Sequence, residues 1–200
     1  MHRVAVFLDY QNVYMQARRC FGGRRAGRLD GQVDPLALGE LLALRRSPFP
    51  SGLEEVRVYR GLPDEGRDPR GYAAVRRQAE AWQAHDRRVK VFTRPLRYPR
   101  DHPRSRPQEK GVDVLLAVDF VRLAMQGAYD AGILMSHDTD LVPALEAVIG
   151  LRGPRCEVAA WAATSTSGQR LRVPGVPLWC HHLTAIDYAA VADPRDYTRP

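Results

Sequence analysis

Residues 4–9, Val4-Ala5-Val6-Phe7-Leu8-Asp9, decide the fold. An unbroken, β-prone apolar run of this kind describes a strand covered on both faces, as in a parallel sheet sealed by helices. The run stops at a carboxylate, and residues 12–20 then carry a helical pattern. Working outward, residues 54–60, 88–93, 132–136 and 155–161 read as further strands, with a last short one at 177–181. Between them lie helical stretches. Asp34-Pro35 and Asp68-Pro69 each pair a capping carboxylate with a proline in the first helical position, opening helices to about residues 45 and 85. Residues 111–126 are apolar around most of their circumference and are expected as a buried helix. Residues 140–150 form another, with Pro143 tolerated in its first turn, and 165–172 a short one. Strand and helix alternate throughout, which means an α/β fold with a mainly parallel sheet.

The remaining segments are connections. Residues 24–34 are rich in Gly and Arg without periodicity, and 47–52 mix Pro, Gly and Ser. Residues 95–107 hold four prolines and several arginines, and are expected as an exposed irregular loop. A chain of 200 residues suits one globular domain, here residues 1–188, followed by a polar C-terminal tail at 189–200. An apolar fraction of 44% suffices for a sizeable core and excludes a wholly disordered chain.

No apolar stretch approaches the roughly 20 residues needed to cross a bilayer. Met1-His2-Arg3 runs straight into the first strand without a leader pattern, so a cytoplasmic protein with no membrane partner is expected. The three cysteines, Cys20, Cys156 and Cys180, are scattered, odd in number and not at ligand spacing, which points away from a disulfide framework or a zinc site. A net charge of +7 favours a polyanionic partner. The arginines concentrate in two stretches, Arg18, Arg19, Arg24, Arg25 and Arg28, then Arg94, Arg97, Arg100, Arg104 and Arg106.

In an open parallel sheet, ligands bind beyond the carboxyl ends of the strands. Asp9 ends the first strand, and Ser136-His137-Asp138-Thr139-Asp140 follows the fourth. If these strands are neighbours, about 4.8 Å apart, their terminal carboxylates converge on one small volume. Asp113 lies in the first turn of the preceding helix, where a right-handed crossover can bring it to the same place. Carboxylates so close raise one another's pKa unless a cation joins them. The usual answer is a hard divalent ion, Mg²⁺ or Mn²⁺, which can clamp a phosphate and activate water. With a basic surface, this suggests phosphodiester hydrolysis. The plainer alternative is that these aspartates are helix caps.

The stretches Leu8-Asp9-Tyr10-Gln11-Asn12, Glu109-Lys110-Gly111-Val112-Asp113-Val114 and Ser136-His137-Asp138-Thr139-Asp140-Leu141 resemble, in order and spacing, the three motifs of the NYN domain. This is a PIN-like nuclease family, and its bacterial, formerly uncharacterised branch is the nearest likeness. The resemblance runs from about residue 2 to residue 185. It implies a PIN-like three-layer α/β/α sandwich and an Mg²⁺- or Mn²⁺-dependent endoribonuclease, with Asp9, Asp113, Asp138 and Asp140 as metal ligands. It also implies that Asn12 orients the scissile phosphate or a bound water, and that the Ser136 hydroxyl supports the site. His137 departs from the family pattern, where glycine is expected. Its side chain would crowd the site, join phosphate binding, or point away.

Secondary candidates are Lys110, as a phosphate contact or a solvated lysine, and Tyr10, stacking on a base or packed against the next helix. Arg24, Arg25 and Arg97 are candidate phosphate contacts in the two arginine stretches. Asp119 lies six residues past Asp113, about 240° around the helix, and is expected in an ion pair with an arginine. Glu40 falls where PIN-like enzymes often carry a further acid, or is merely exposed. His181 and His182 point to opposite faces of a strand, which argues against a metal pair. The function expected is cleavage of single-stranded or loop RNA, with a homodimer as a reasonable state. The rivals are a non-catalytic RNA-binding module of the same fold and a phosphatase or nucleotidase acting on small substrates.

Overall fold

The structure, a computed structural model, describes residues 1–24, 26–46, 49–162 and 170–199. The order is β1 (His2–Asp9), α1 (Tyr10–Phe21), α2 (Pro35–Leu44), β2 (Ser51–Leu62), α3 (Pro69–His85), β3 (Val89–Pro95), α4 (Val112–Met125), β4 (Ala131–Met135), α5 (Val142–Ile149), β5 (Arg155–Trp161), β6 (Trp179–Leu183) and α6 (Ala185–Val191). A 3₁₀ turn, Thr139–Leu141, leads into α5. The strands form one sheet in the order β3-β2-β1-β4-β5-β6, and every neighbouring pair is parallel.

The apolar runs dictate the layering. Along β1, Val4, Val6 and Leu8 join a core with Val13 of α1, Leu38 and Leu42 of α2, and Trp82 of α3. Ala5 and Phe7 point the other way, to Leu116 and Phe120 of α4 and Leu145 and Val148 of α5. Side chains alternate along a strand, so Asp9 shares the face of Phe7 and looks toward α4. The result is an α/β/α sandwich: the parallel α/β sheet follows the residue pattern, and the three layers match what the resemblance implies.

Both capping carboxylates act as read. Asp34 accepts from the N–H groups of Leu36 and Ala37 at 2.9 and 3.2 Å, and Asp68 accepts from Gly71 N–H at 2.8 Å. Asp119 is indeed paired: Arg57 and Arg122 donate to it at 2.6 and 2.8 Å, and the Tyr59 hydroxyl at 2.9 Å. Helix α4 departs from expectation. It buries Val112, Leu116, Phe120 and Ala124 but exposes Val114, Val118 and Met125, because one face lies on the sheet and, among the described residues, nothing covers the other.

Residues 170–172 are not helical, and the rest of the short helix read at 165–172 lies outside the described residues. Residues 189–191 belong to α6 and not to a tail. Beyond α6, Trp82 Nε1 donates to Asp193 at 3.1 Å, Gln32 Nε2 donates to the carbonyls of Asp193 and Arg195, and Arg77 donates to the Tyr197 carbonyl. Among the described residues, no helix is long and apolar enough to cross a membrane.

Candidate functional site

The strand order reverses at β1: β2 and β3 lie on one side of it, β4 to β6 on the other. Such a switch point opens a crevice at the carboxyl ends of the two central strands. Strands β1 and β4 pair directly, with Leu8 opposite Met135, so Asp9 and the 136–140 segment emerge side by side.

Asp9 is only 4% exposed. Its carboxylate accepts from the Ser136 hydroxyl at 2.8 Å and from Asn12 N–H at 3.2 Å, the second bond also capping α1. Ser136 in turn accepts from Asp138 N–H at 3.0 Å, so one buried hydroxyl ties the two acidic segments together. Asp138 accepts from Asp140 N–H at 2.9 Å and caps the 3₁₀ turn. Capping and membership of the acidic cluster therefore coexist in the same residues. Asn12 Oδ1 accepts from His137 N–H at 3.1 Å, which leaves the Nδ2 end of the amide as a donor.

The acids sense one another's charge. Burial pushes the Asp9 carboxyl up to about 7; the hydrogen bonds from Ser136 and Asn12 oppose this, and the charges of Asp113 and Glu109 add to it. Asp113 is raised by burial and then by the charges of Asp138 and Asp140. Unscreened carboxylates hold apart, and among the described residues no three acidic, imidazole or thiol groups are drawn together as a closed ligand set. The donors are hard oxygens carrying unbalanced negative charge, which is the chemistry that suits Mg²⁺ or Mn²⁺.

One acid in this cluster was not singled out from the sequence. Glu109 lies ahead of α4, across a left-handed turn at Gly111 (φ 76°), a conformation that favours glycine. Its Oε1 accepts from Gly61 N–H, and a Cβ on Gly61 would stand 2.9 Å from Glu109 and 2.2 Å from Leu96, so a larger residue there would displace both side chains. Burial raises the Glu109 pKa, the Gly61 hydrogen bond opposes this, and the Asp113 charge adds to the rise. Glu109→Gln keeps the acceptor for Gly61 and removes one charge. We expect it to weaken Mn²⁺ binding about tenfold or more, measured by calorimetry. Unchanged affinity would remove Glu109 from the centre.

Other candidates lie elsewhere. Tyr10 is packed edge-on against Trp82, with ring centroids 5.1 Å apart, under the Arg60 guanidinium, and its hydroxyl donates to the Val33 carbonyl at 3.3 Å. Neither face is left for a base, which corrects the stacking role. His137 has its pKa lowered by burial and then by the charge of Arg19. Its ring Nδ1 is buried and has no hydrogen-bond partner among the described residues. Lys110, Arg24 and Arg97 are exposed, with Arg97 held through its backbone against Gln108.

Arg25 lies outside the described residues. In the same stretch, Arg18 donates to the Ala26 carbonyl at 2.8 Å and Arg28 pairs with Asp196, so these two secure the loop and the C-terminal segment. Glu40 is exposed and pairs with Arg88 at 2.8 Å, away from the cluster. His181 is buried against Glu157 at 2.8 Å while His182 is exposed, so the two do not form a metal pair.

No curated protein matches the chain. Among solved structures it is similar to a protein of unknown function from Vibrio parahaemolyticus RIMD 2210633, at 18% identity and a TM-score of 0.46, over 80% of each chain. The NYN domain matches residues 3–172, most of the length and all three acidic segments. The chain belongs to the NYN domain family, within the PIN-like nuclease superfamily.

Proposed function

We propose that this protein is a metal-dependent endoribonuclease that hydrolyses phosphodiester bonds in single-stranded or loop RNA. Asp9, Asp113, Asp138 and Asp140 would hold one or two Mg²⁺ or Mn²⁺ ions, with Glu109 beside them. The observation that carries this reading is the buried Asp9, its carboxyl raised to about 7, facing Asp113 and Glu109 at the switch point of the sheet. Acids placed together there either keep a proton or take a countercharge, and a divalent cation supplies the second. Family membership supports the rest: PIN-like nuclease domains generally use divalent metals, and NYN nuclease domains act on RNA.

When bound, the ion supplies the Lewis acidity that activates water and steadies the leaving oxygen. The chain's own residues position and orient. Ser136 keeps Asp9 and Asp138 in register through its single hydroxyl. Asn12, its carbonyl end fixed by His137 N–H, offers Nδ2 to a phosphate oxygen. Exposed arginines along the two basic stretches would draw the RNA backbone in, and such contacts make binding fall steeply with salt.

The test is cleavage of a labelled single-stranded RNA by the wild-type chain with Mn²⁺, Mg²⁺ or EDTA, across a salt series. Internal cuts that need metal and weaken with salt are expected. Salt-sensitive binding without cuts under any metal would instead indicate an RNA-binding module. Salt-insensitive hydrolysis confined to small phosphate esters would indicate a phosphatase.

A further inference from the structure

Next to the carboxylate cluster lies a cleft of about 380 Å³ that the proposed reaction leaves unused. The end of β2, α1, α3 and the C-terminal segment enclose it, and Glu109 stands on the boundary between cleft and cluster. Its walls are mostly apolar, among them Tyr14, Pro63, Val75 and Leu96. Polar groups line it as well, among them Gln32, Gln78, the Arg28–Asp196 pair and Arg60. The Arg60 guanidinium lies over the Tyr10 ring, 5.0 Å from the centroid, and donates to Gln78 Oε1.

Among the described residues, no carboxylate forms an ion pair with Arg60. Burial pulls its pKa below the ordinary value. A guanidinium carries five N–H donors; Arg60 is half-buried, and with a single amide partner it keeps donors that a ligand in the cleft can meet.

We propose that this cleft receives one nucleobase of the RNA strand whose phosphate lies at the carboxylate cluster, and that Arg60 reads it as guanine. The proposal rests on the ribonuclease reading for the identity of the ligand as RNA. Size and walls favour a flat ring: clefts of a few hundred Å³ with apolar sides and a few placed polar groups bind small organic ligands. The negative rim at Glu109 disfavours a phosphate inside. The planar guanidinium fork matches O6 and N7 of guanine in a bidentate pair. Adenine, of the same size, presents an amino donor where guanine has O6, and meets the arginine with a repulsive edge. Tyr10 thus takes part indirectly, as the platform beneath Arg60.

The experiment is calorimetric titration of the full chain with GMP and with AMP in EDTA, repeated on Arg60→Ala and Ala74→Phe. GMP is expected to bind about tenfold or more tighter than AMP, and Arg60→Ala to erase that preference. Ala74 lies on the cleft wall, and Ala74→Phe fills the cleft while retaining the Arg60 side chain, so it decides the matter if Arg60→Ala fails to fold. Blocking the cleft is expected to abolish GMP binding. Equal affinity for the two nucleotides, no binding of either, or undiminished GMP binding in Ala74→Phe would overturn the proposal. Neither metal nor cleavage enters this titration, so a failed nuclease reading and a failed base site give different results.

Discussion

Asp138→Asn is expected to lower metal-dependent RNA cleavage at least about a hundredfold while leaving the melting temperature nearly unchanged. The separation follows from the two roles of one side chain. As a cap, Asp138 uses a single oxygen to accept from Asp140 N–H, and an asparagine amide oxygen accepts equally well. Its backbone N–H, bonded to Ser136, is untouched by the change. As part of the acidic cluster, however, it supplies negative charge that Asp113 feels directly, and asparagine supplies none. Single-turnover cleavage and thermal unfolding on the same preparation check both halves. Cleavage within a few-fold of wild type would mean that Asp138 is only a cap.

Asp9→Asn is expected to act in opposite directions on stability and activity. In the metal-free chain the Asp9 carboxyl titrates near 7 instead of its ordinary 3.8, because burial disfavours the charged form. A carboxyl raised in this way favours the folded state fully below pH 4. That advantage is lost as pH rises to about 7, and the loss is constant above it. At about 1.4 kcal/mol per pH unit, the gap between the two values is worth on the order of 4 kcal/mol. Asparagine carries no such penalty, so the metal-free variant should be the more stable protein at pH 8, with the difference vanishing toward pH 4. Activity should nonetheless be lost. Added Mn²⁺ should stabilise wild type at pH 8 far more than the variant, with release of the Asp9 proton near pH 7. Denaturant unfolding at pH 4, 6 and 8, with and without Mn²⁺, measures this. A variant less stable than wild type at pH 8 in EDTA would contradict the burial argument.

How far the sequence alone reached can be seen in the same residues. The run Val4–Leu8 was readable as a central strand because it is apolar on both faces, and its alternation already turns Asp9 to the side of Phe7, where α4 lies. The Asp-Pro pairs marked two helix starts because cap and proline act locally. Glu109 escaped because its position depends on a left-handed turn at Gly111 and on a contact with Gly61, 48 residues away in sequence. Tyr10 was ambiguous because only the packing of Trp82 and Arg60 removes it from the solvent.

Helix α4 was misjudged for a different reason. Periodicity records apolar residues but not whether a neighbour covers them, and Val114, Val118 and Met125 stand uncovered. Helix α6 carried a readable local signal at its start. Thr184 and Asp187 form a capping box, with Asp187 accepting from the backbone N–H and the hydroxyl of Thr184.

The most direct test follows Mn²⁺ binding and RNA cleavage together. Metal is titrated into wild type and into Asp138→Asn, with calorimetry giving the binding curve and single-turnover assays giving the rate at each metal concentration. The expected result is a rate that rises along the wild-type binding curve, with both binding and cleavage weakened in the variant. Cleavage in EDTA, or tight Mn²⁺ binding to wild type without cleavage at any concentration, would contradict a metal-dependent ribonuclease centred on these carboxylates.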